Sequence, residues 1–460
     1  MESSLIRQES RSTGMRSMGR RLVTLSGALI VASSVGVAAL FAGSTPEFGS
    51  PANYATGHTP HWVAIGDVNG DSKPDLATAN IFAGTASVLL NNGDGTFRAK
   101  VDYATVANPT SVAIGDVNGD SKPDLVTASI GYPSAVSVFL NRGDGTFLPR
   151  TEYATGYAPY SLAIGDLNGD GGADIATANY GDNTASVLLN RGDGSFQPAV
   201  DYTTGHQPLS VAIGELNGDG RPDLAIANVA LEASSVSVLV NRGDGSLQPK
   251  VDYGTGHNPE SVAIGDLTGD GKADLATANT GADTVSVLRN KGDGSFEAGV
   301  EYQTGHTPES VAIGDLNRDG KADLVSADSQ DNGVSVFANR GDGSFEAKSP
   351  YEAGQIALSV AIGDLNGDRA PDLVTANEYD DSVSVILNAT VFCIVPNVRG
   401  KTLARANQAL ERADCSVGKV RRVYSKRVKR RHVISQSRKP GTVLQDGAGV
   451  KLVVSRGKKH

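Results

Sequence analysis

The sequence predicts an all-β fold, a seven-bladed β-propeller, with a small C-terminal α+β domain behind it, and three observations carry that expectation. A nine-residue loop with oxygen-bearing side chains at positions 1, 3, 5 and 9 recurs seven times. Its first residues, Asp67, Asp116, Asp166, Glu215, Asp266, Asp315 and Asp364, stand 49, 50, 49, 51, 49 and 49 residues apart. A period of about 40 to 50 residues is that of one propeller blade or solenoid coil. Around each loop lie short alternating runs rich in β-branched residues, separated by turn residues, which read as four antiparallel strands. Past residue 390 the composition turns abruptly basic and a helical pattern appears.

The fifth repeat shows the order of elements: an inner strand over 261–265, the loop, a second strand over 274–278, a polar break, a third strand over 284–288, a Gly-Asp-Gly turn and an outer strand over 296–302. The seventh repeat stops after its third strand, while residues 48–54 match residues 196–202 and read as a displaced outer strand. Pairing that strand with the last blade closes the ring and leaves no long unpaired edge, so a closed propeller is expected rather than an open solenoid.

The loops read as calcium cages. The candidate ligands are Asp67, Asn69, Asp71, Lys73 and Asp75; Asp116, Asn118, Asp120, Lys122 and Asp124; Asp166, Asn168, Asp170, Gly172 and Asp174; and Glu215, Asn217, Asp219, Arg221 and Asp223. The series continues with Asp266, Thr268, Asp270, Lys272 and Asp274; Asp315, Asn317, Asp319, Lys321 and Asp323; and Asp364, Asn366, Asp368, Ala370 and Asp372, position 7 offering its backbone carbonyl. A hard cation that takes six to eight oxygens at about 2.3 to 2.6 Å is served by such a loop. Three acidic positions per loop, 21 in all, repel one another without a cation. About seven structural Ca2+ ions are therefore expected to stabilise the native state by binding it. Glu215 and Thr268 mark the weakest expected sites, and Arg318, where other loops have glycine, is expected to strain the backbone.

These repeats resemble the FG-GAP or VCBS repeats of integrin alpha-chain propellers and of many secreted bacterial proteins, over roughly residues 47–389. The resemblance implies the propeller, calcium dependence and an extracellular life. Members of this family carry adhesion, lectin and occasional enzyme activities, so the fold alone does not name the function.

Residues 1–44 carry five basic and two acidic residues, with Arg20-Arg21 ahead of an apolar run over 22–42. That is the layout of an export signal peptide, cleaved after Ala39 or Ser44; the run is also long enough for an uncleaved membrane anchor. The domains are then 1–44, export signal or anchor; 45–390, propeller; and 391–460, basic domain. The only cysteines, Cys393 and Cys415, are expected to form a disulfide in an exported chain and to staple the tail. Residues 390–460 hold 18 Lys and Arg against 3 acidic residues, a net +15, and the first 44 net +3, so the whole-chain −10 leaves about −28 on the repeats.

The tail reads as a short strand, a helix over 403–412 and strands near 417–424, 433–436 and 450–455, with Leu403, Ala406, Ala409 and Leu410 on one helix face. Val395-Pro396-Asn397-Val398-Arg399-Gly400, that helix, and Ser437-Arg438-Lys439-Pro440-Gly441-Thr442 before a Val-rich strand resemble a PASTA domain. The resemblance implies association with cell-wall peptidoglycan fragments. The cluster Arg421, Arg422, Lys426, Arg427, Lys429, Arg430 and Arg431 is an additional feature, able to meet anionic wall polymers, the acidic repeats or only solvent.

Arg-Gly-Asp begins at Arg142, Arg191, Arg242 and Arg340, but the same turn reads Asn92-Gly93-Asp94 and Lys291-Gly292-Asp293 elsewhere, so it is read as turn chemistry and not receptor recognition. His58, His206, His257 and His306 share one position in Thr-Gly-His-x-Pro. With the loops after Asn279 and its equivalents they are expected on the channel-side face, and the histidines are assigned to turn stabilisation. No Ser/His/Asp set, no carboxylate pair outside the ion loops and no phosphate-cradling loop stands out, so the chain is read as non-enzymatic. The expected function is an exported, extracellular or cell-wall-associated binding or adhesion scaffold, calcium-stabilised. It would meet a cell-wall polymer or peptidoglycan through its tail, and an unknown protein or glycan through the propeller. Alternatives are a secreted lectin reading glycans on the channel-side face and a polysaccharide-active enzyme on the propeller. Nucleic acid is not an expected partner, and a membrane is one only through an uncleaved signal.

Overall fold

The computed structural model describes residues 45–229, 234–390, 392–413, 415–445 and 449–459; the expected export signal lies outside them. Among the described residues the repeats form seven four-stranded antiparallel sheets. In the fifth, Pro259–Gly265, Asp274–Asn279, Thr284–Leu288 and Val300–Gln303 lie side by side in chain order. Alternation explains the packing. Leu275 points into the core shared with Ala225 and Ala227 of the fourth repeat, whereas Ala276 and Ala278 face Val311 and Leu324 of the sixth. A large residue thus fills the hole left by small ones on the neighbouring sheet, and each leucine so buried contributes about 2 kcal/mol.

The seventh sheet takes its outer strand from the front of the chain. Ala52–Ala55 pairs antiparallel with Ser382–Ile386, and Phe48 bridges Asn388. Val63, Leu76, Leu89 and Phe97 of the first repeat share a core with Leu365, Val374 and Val383 of the seventh, so the seventh sheet packs on the first as the others pack on their successors. The outer strands are shorter than expected: in the fifth repeat only Val300–Gln303 is strand. Phe296 instead turns inward, buried, and meets Tyr253 of the preceding repeat edge-on at 5.2 Å. Its pairing is limited to a single bridge with Asn290, and its ring is buried between sheets.

Every inner strand also carries a register slip just after its first residue, as between Pro259 and Ser261. The extra residue is a β-bulge that leaves the ladder and re-aims its side chain.

The tail has its own core, made of Val395, Val398, Ala406, Leu410, Val433, Val450, Leu452 and Val454 around the Cys393–Cys415 disulfide. Its helix is Leu403–Glu411, capped by Thr402, whose Oγ1 accepts the Arg405 N–H. Ser416–Val423 runs parallel to Gly449–Ser455, and Val433–Gln436 runs antiparallel to it. Among the described residues no helix is long and apolar enough to cross a membrane.

Candidate ion loops, channel and tail groove

Each ion loop is folded by its own acidic side chains. In the first, Asp67 Oδ1 accepts the Gly70 N–H at 2.7 Å, and Oδ2 accepts that of Ser72 at 2.7 Å. Asn69 Oδ1 accepts from Asp71, and Asp71 Oδ1 accepts from Lys73. Asp75 is fully buried; its oxygens accept the N–H groups of Val68 and Asn91 at 3.0 and 2.8 Å. Positions 1, 3 and 5 thus fold the loop through its own backbone amides, and position 9 ties it to the start of the loop and to the third strand. Glu215 reaches the Asn217, Gly218 and Asp219 amides with one oxygen, and Thr268 Oγ1 faces Asp266 at 3.5 Å. Positions 4 and 6 are left-handed in every loop; Arg318 holds φ 55° where the other six loops have glycine at position 4, and at position 6 Ser72, Ser121 and Arg369 hold 63°, 64° and 71° where the other four have glycine. The strain expected at Arg318 falls on a left-handed residue, and Ser72, Ser121 and Arg369 add three more such positions.

The fit to calcium is one of donor chemistry. Each loop offers side-chain oxygens at positions 1, 3, 5 and 9, and the position-9 carboxyls are driven up by burial, opposed by their N–H bonds and reinforced by neighbouring loop carboxylates. Asp75, Asp223 and Asp372 rise to about 6 and Asp323 to about 7, the state of a carboxylate that lacks a countercharge. Among the described residues no three His, Cys, Asp or Glu side chains are gathered into a preformed metal cluster. Part of the countercharge comes instead from position 7: Lys73, Lys122, Lys272 and Lys321 place Nζ 3.5, 3.3, 3.2 and 3.3 Å from the position-5 aspartates. Gly172 and Ala370 cannot do this, and Arg221 turns to the Arg242 carbonyl.

The loops are tied into the ring by an asparagine that follows every third strand. Asn91, Asn141, Asn190, Asn241, Asn290, Asn339 and Asn388 each donate a backbone N–H to their own position-9 aspartate. Each side-chain amide then donates to the position-2 carbonyl of the preceding repeat's loop. Asn141 reaches Val68 and Asn290 reaches Leu216, both at 2.8 Å, and Asn91 reaches back to Leu365 at 2.8 Å. The recurrence of this asparagine is visible in the sequence, but its function as a clamp between sheets is not.

At the opposite end, the bulged residues of six repeats, His61, Tyr160, Leu209, Glu260, Glu309 and Leu358, line the channel. Here the structure corrects the expectation that no carboxylate pair lies outside the ion loops. Glu260 and Glu309 sit 49 positions apart in sequence and meet at the channel: Glu309 is held well above the carboxylate range by burial first and by its hydrogen bond to Glu260. Ser329 and Thr280 hydroxyls donate to Glu309 and Glu260 at 3.1 and 3.2 Å. His61, held below its usual pKa by burial, donates from Nδ1 to the Thr110 carbonyl at 2.8 Å. The enclosed space is ≈ 40 Å³, room for about one water and too little for a sugar.

The channel-side face is formed by the loops into the inner strand and out of the second, joined by bonds such as Gly181 N–H to the Tyr157 carbonyl at 3.0 Å. Asn279 is not offered to a ligand there, because its side chain is buried against Thr277, Thr284 and Ser286. A Cβ on Gly256 would lie 2.6 Å from the Asn279 amide, which accounts for the glycine of Thr-Gly-His. His58 and His306 bond Asp381 and Asp283 of the preceding repeats at 2.8 and 3.0 Å, clipping neighbouring loops together. Phe82, Tyr132, Tyr157 and Tyr379 project from this face 71, 94, 58 and 73% exposed, on the first, second, third and seventh repeats respectively. The Arg-Gly-Asp arginines spend a guanidinium N–H on their own hairpins, Arg142 and Arg191 on the Phe147 and Phe196 carbonyls.

In the tail, Thr402, Leu403 and Ala404 at the helix start, with Arg422, Tyr424, Arg430, Arg431, Arg456 and Lys458, line a groove of ≈ 1040 Å³. All five cations and Tyr424 are exposed, and the Arg456 guanidinium lies 5.7 Å from the Tyr424 ring centre.

The family model for the FG-GAP-like repeat matches residues 67–127, 116–177, 166–226, 216–277, 269–326 and 315–375, and that for the PASTA domain matches residues 394–456. No curated protein matches the chain. Among solved structures it is similar to the BP39L lectin from Burkholderia pseudomallei at 13% identity and a TM-score of 0.58, over 73% of this chain and 97% of that one. It is also similar to BBS1N in its complex with ARL6DN (10%, 0.55, over 75% and 98%) and to Kuenenia stuttgartiensis hydrazine synthase (16%, 0.53, over 73% and 97%). At these identities the likeness shows the fold alone, repeated four-stranded sheets in a propeller-like arrangement.

Proposed function

The chain belongs to the FG-GAP-like repeat family and ends in a PASTA domain, and from that premise we propose that it is an exported, non-enzymatic binding scaffold. It consists of a closed seven-bladed propeller with calcium in its seven loops, attached at the cell wall through the basic tail. The observation that carries the reading is the joining of a PASTA domain, with its own disulfide-tied core and basic groove, to a ring whose seven loops each bury a carboxylate. Support for export is the disulfide, which forms in oxidising compartments. The channel space supports the non-enzymatic half, since its glutamate pair has no room for a glycan beside it.

Purified cell walls are expected to retain the full chain and to release a chain ended at residue 390, with or without a chelator. Calcium titration of the full chain is expected to reach about seven ions, on the oxygen-ligand logic of the loops. Equal release of both chains removes wall attachment, and saturation at one or two ions removes the calcium half.

The exposed aromatic arc favours a second reading, glycan recognition on the channel-side face, because aromatic rings present flat apolar surfaces with little entropy to lose. F82A/Y379A is then expected to lower binding to wall glycans by the chain ended at residue 390 at least tenfold. Binding that survives the double substitution excludes this face.

A further inference from the structure

We infer that the tail groove is a binding site for a phosphodiester-linked glycan or polyol chain; this rests on the wall-attachment reading and names what the tail holds there. Five cations, Arg422, Arg430, Arg431, Arg456 and Lys458, face one groove. Every ion pair among the described residues lies in the repeats, so among those residues these five have no carboxylate partner. Gathering them costs repulsion that an anion relieves.

Two of the arginines are anchored at their backbones. Arg431 sits at φ 68°, its N–H donating to the Ser455 carbonyl at 2.8 Å and its carbonyl accepting the Leu403 N–H at 3.0 Å. It thereby knots the helix start to the end of the last strand. Arg456 donates its N–H to the Val423 carbonyl at 2.7 Å while its guanidinium lies by Tyr424. The helix start adds its partial positive charge to the same wall of the groove.

The charge density selects the ligand class. A neutral glycan leaves all five cations unmatched, and a peptidoglycan stem offers only isolated carboxylates. A chain with one phosphate per unit meets successive guanidinium forks, which bind phosphate in a bidentate manner. Tyr424, 54% exposed, offers its ring to the carbon skeleton between phosphates. The groove exceeds the span of about 300 to 1,000 Å³ typical of a small-molecule pocket, as a polymer segment requires. The acidic repeats repel the same polymer and confine it to the tail.

The test measures full-chain affinity for synthetic poly(glycerol phosphate), beside a muropeptide and a single-stranded oligonucleotide of equal charge. R422Q/R430Q/R456Q is expected to weaken polymer binding at least tenfold. K419Q/R438Q/K439Q, which removes the same charge from exposed positions outside the groove, is expected to change it less than threefold. R430Q alone, at an exposed side chain, is expected to weaken it at least twofold, which keeps the test decisive if the triple variant is unfolded. Equal weakening by both triple variants, tighter binding of the muropeptide, or tenfold tighter binding of the oligonucleotide overturns the assignment. Retention on walls stripped of phosphate polymers without affinity for the polymer ends this inference and leaves wall attachment standing. Affinity for the polymer without retention on whole walls does the reverse.

Discussion

Removing calcium is expected to lower the melting temperature of the protein by roughly 20 °C, and the loss is expected to grow as pH rises. An ion present at about 100 times its dissociation constant stabilises the native state by about 2.7 kcal/mol per loop, and seven loops compound that effect. The pH dependence follows from the buried position-9 carboxyls. In the stripped protein they titrate at about 6 in Asp75, Asp223 and Asp372 and at about 7 in Asp323, against 3.8 unfolded. The folded chain therefore holds more protons than the unfolded chain between those values. Its stability is greatest below the unfolded pKa and falls as pH climbs through 6 to 7. A bound cation favours the carboxylate and reverses the trend, so stability with calcium falls on acidification instead. Thermal melts from pH 5 to 8, with calcium and after its removal, check both signs. A stripped protein that gains stability toward pH 8, or melts unchanged with calcium, contradicts the account. The largest share of this dependence belongs to Asp323, the carboxyl pushed up furthest, to about 7.

The second large effect is expected from N91A. Its amide clamps the first repeat to the Leu365 carbonyl of the seventh and also holds the Pro74 carbonyl, while its Oδ1 accepts the Gly93 N–H at 2.7 Å. Truncation strands two carbonyls and an amide where Asn91 is fully buried. Buried groups left unpaired cost about 1 to 3 kcal/mol each, so a loss of about 4 kcal/mol is expected, or roughly 6 °C for a ring of this size. N92A removes only an exposed bond to Thr96 and is expected to melt within about 1 °C of the parent, as surface changes do. Similar melting of the two variants would show that the clamp contributes nothing.

The repeat pattern made most of the fold legible. Turn residues and alternation placed the four strands, and the match between residues 48–54 and 196–202 placed the displaced strand in the seventh sheet. What stayed hidden depended on pairing. The start of each inner strand, Pro-x-Ser in five of the seven, continues the alternation on paper, and only the ladder shows that His61, Glu260 and Glu309 are bulged out toward the channel. The two glutamates meet because two repeats abut, which no local pattern records. Phe296 reads as the start of a strand because aromatics favour strands, yet burial between two sheets claimed it. The asparagine clamps recur as a motif without announcing what the amide reaches across to.

The displaced strand also decides how the molecule carries load. The Ala389 N–H donates to the Glu47 carbonyl at 2.7 Å and the Gly49 N–H to the Leu387 carbonyl at 2.9 Å, so the chain enters and leaves the ring on adjacent strands at the same end. Tension between the segment before residue 45 and the tail would pull these strands apart from that end. Antiparallel strands loaded in this way yield one bond at a time, like a zipper, and not all together as in shear. The other six sheets lie outside the path of the force. In the closed ring proposed above, this pairing is the closure, and under such tension it is expected to act as a mechanical fuse that opens before the other sheets are stretched.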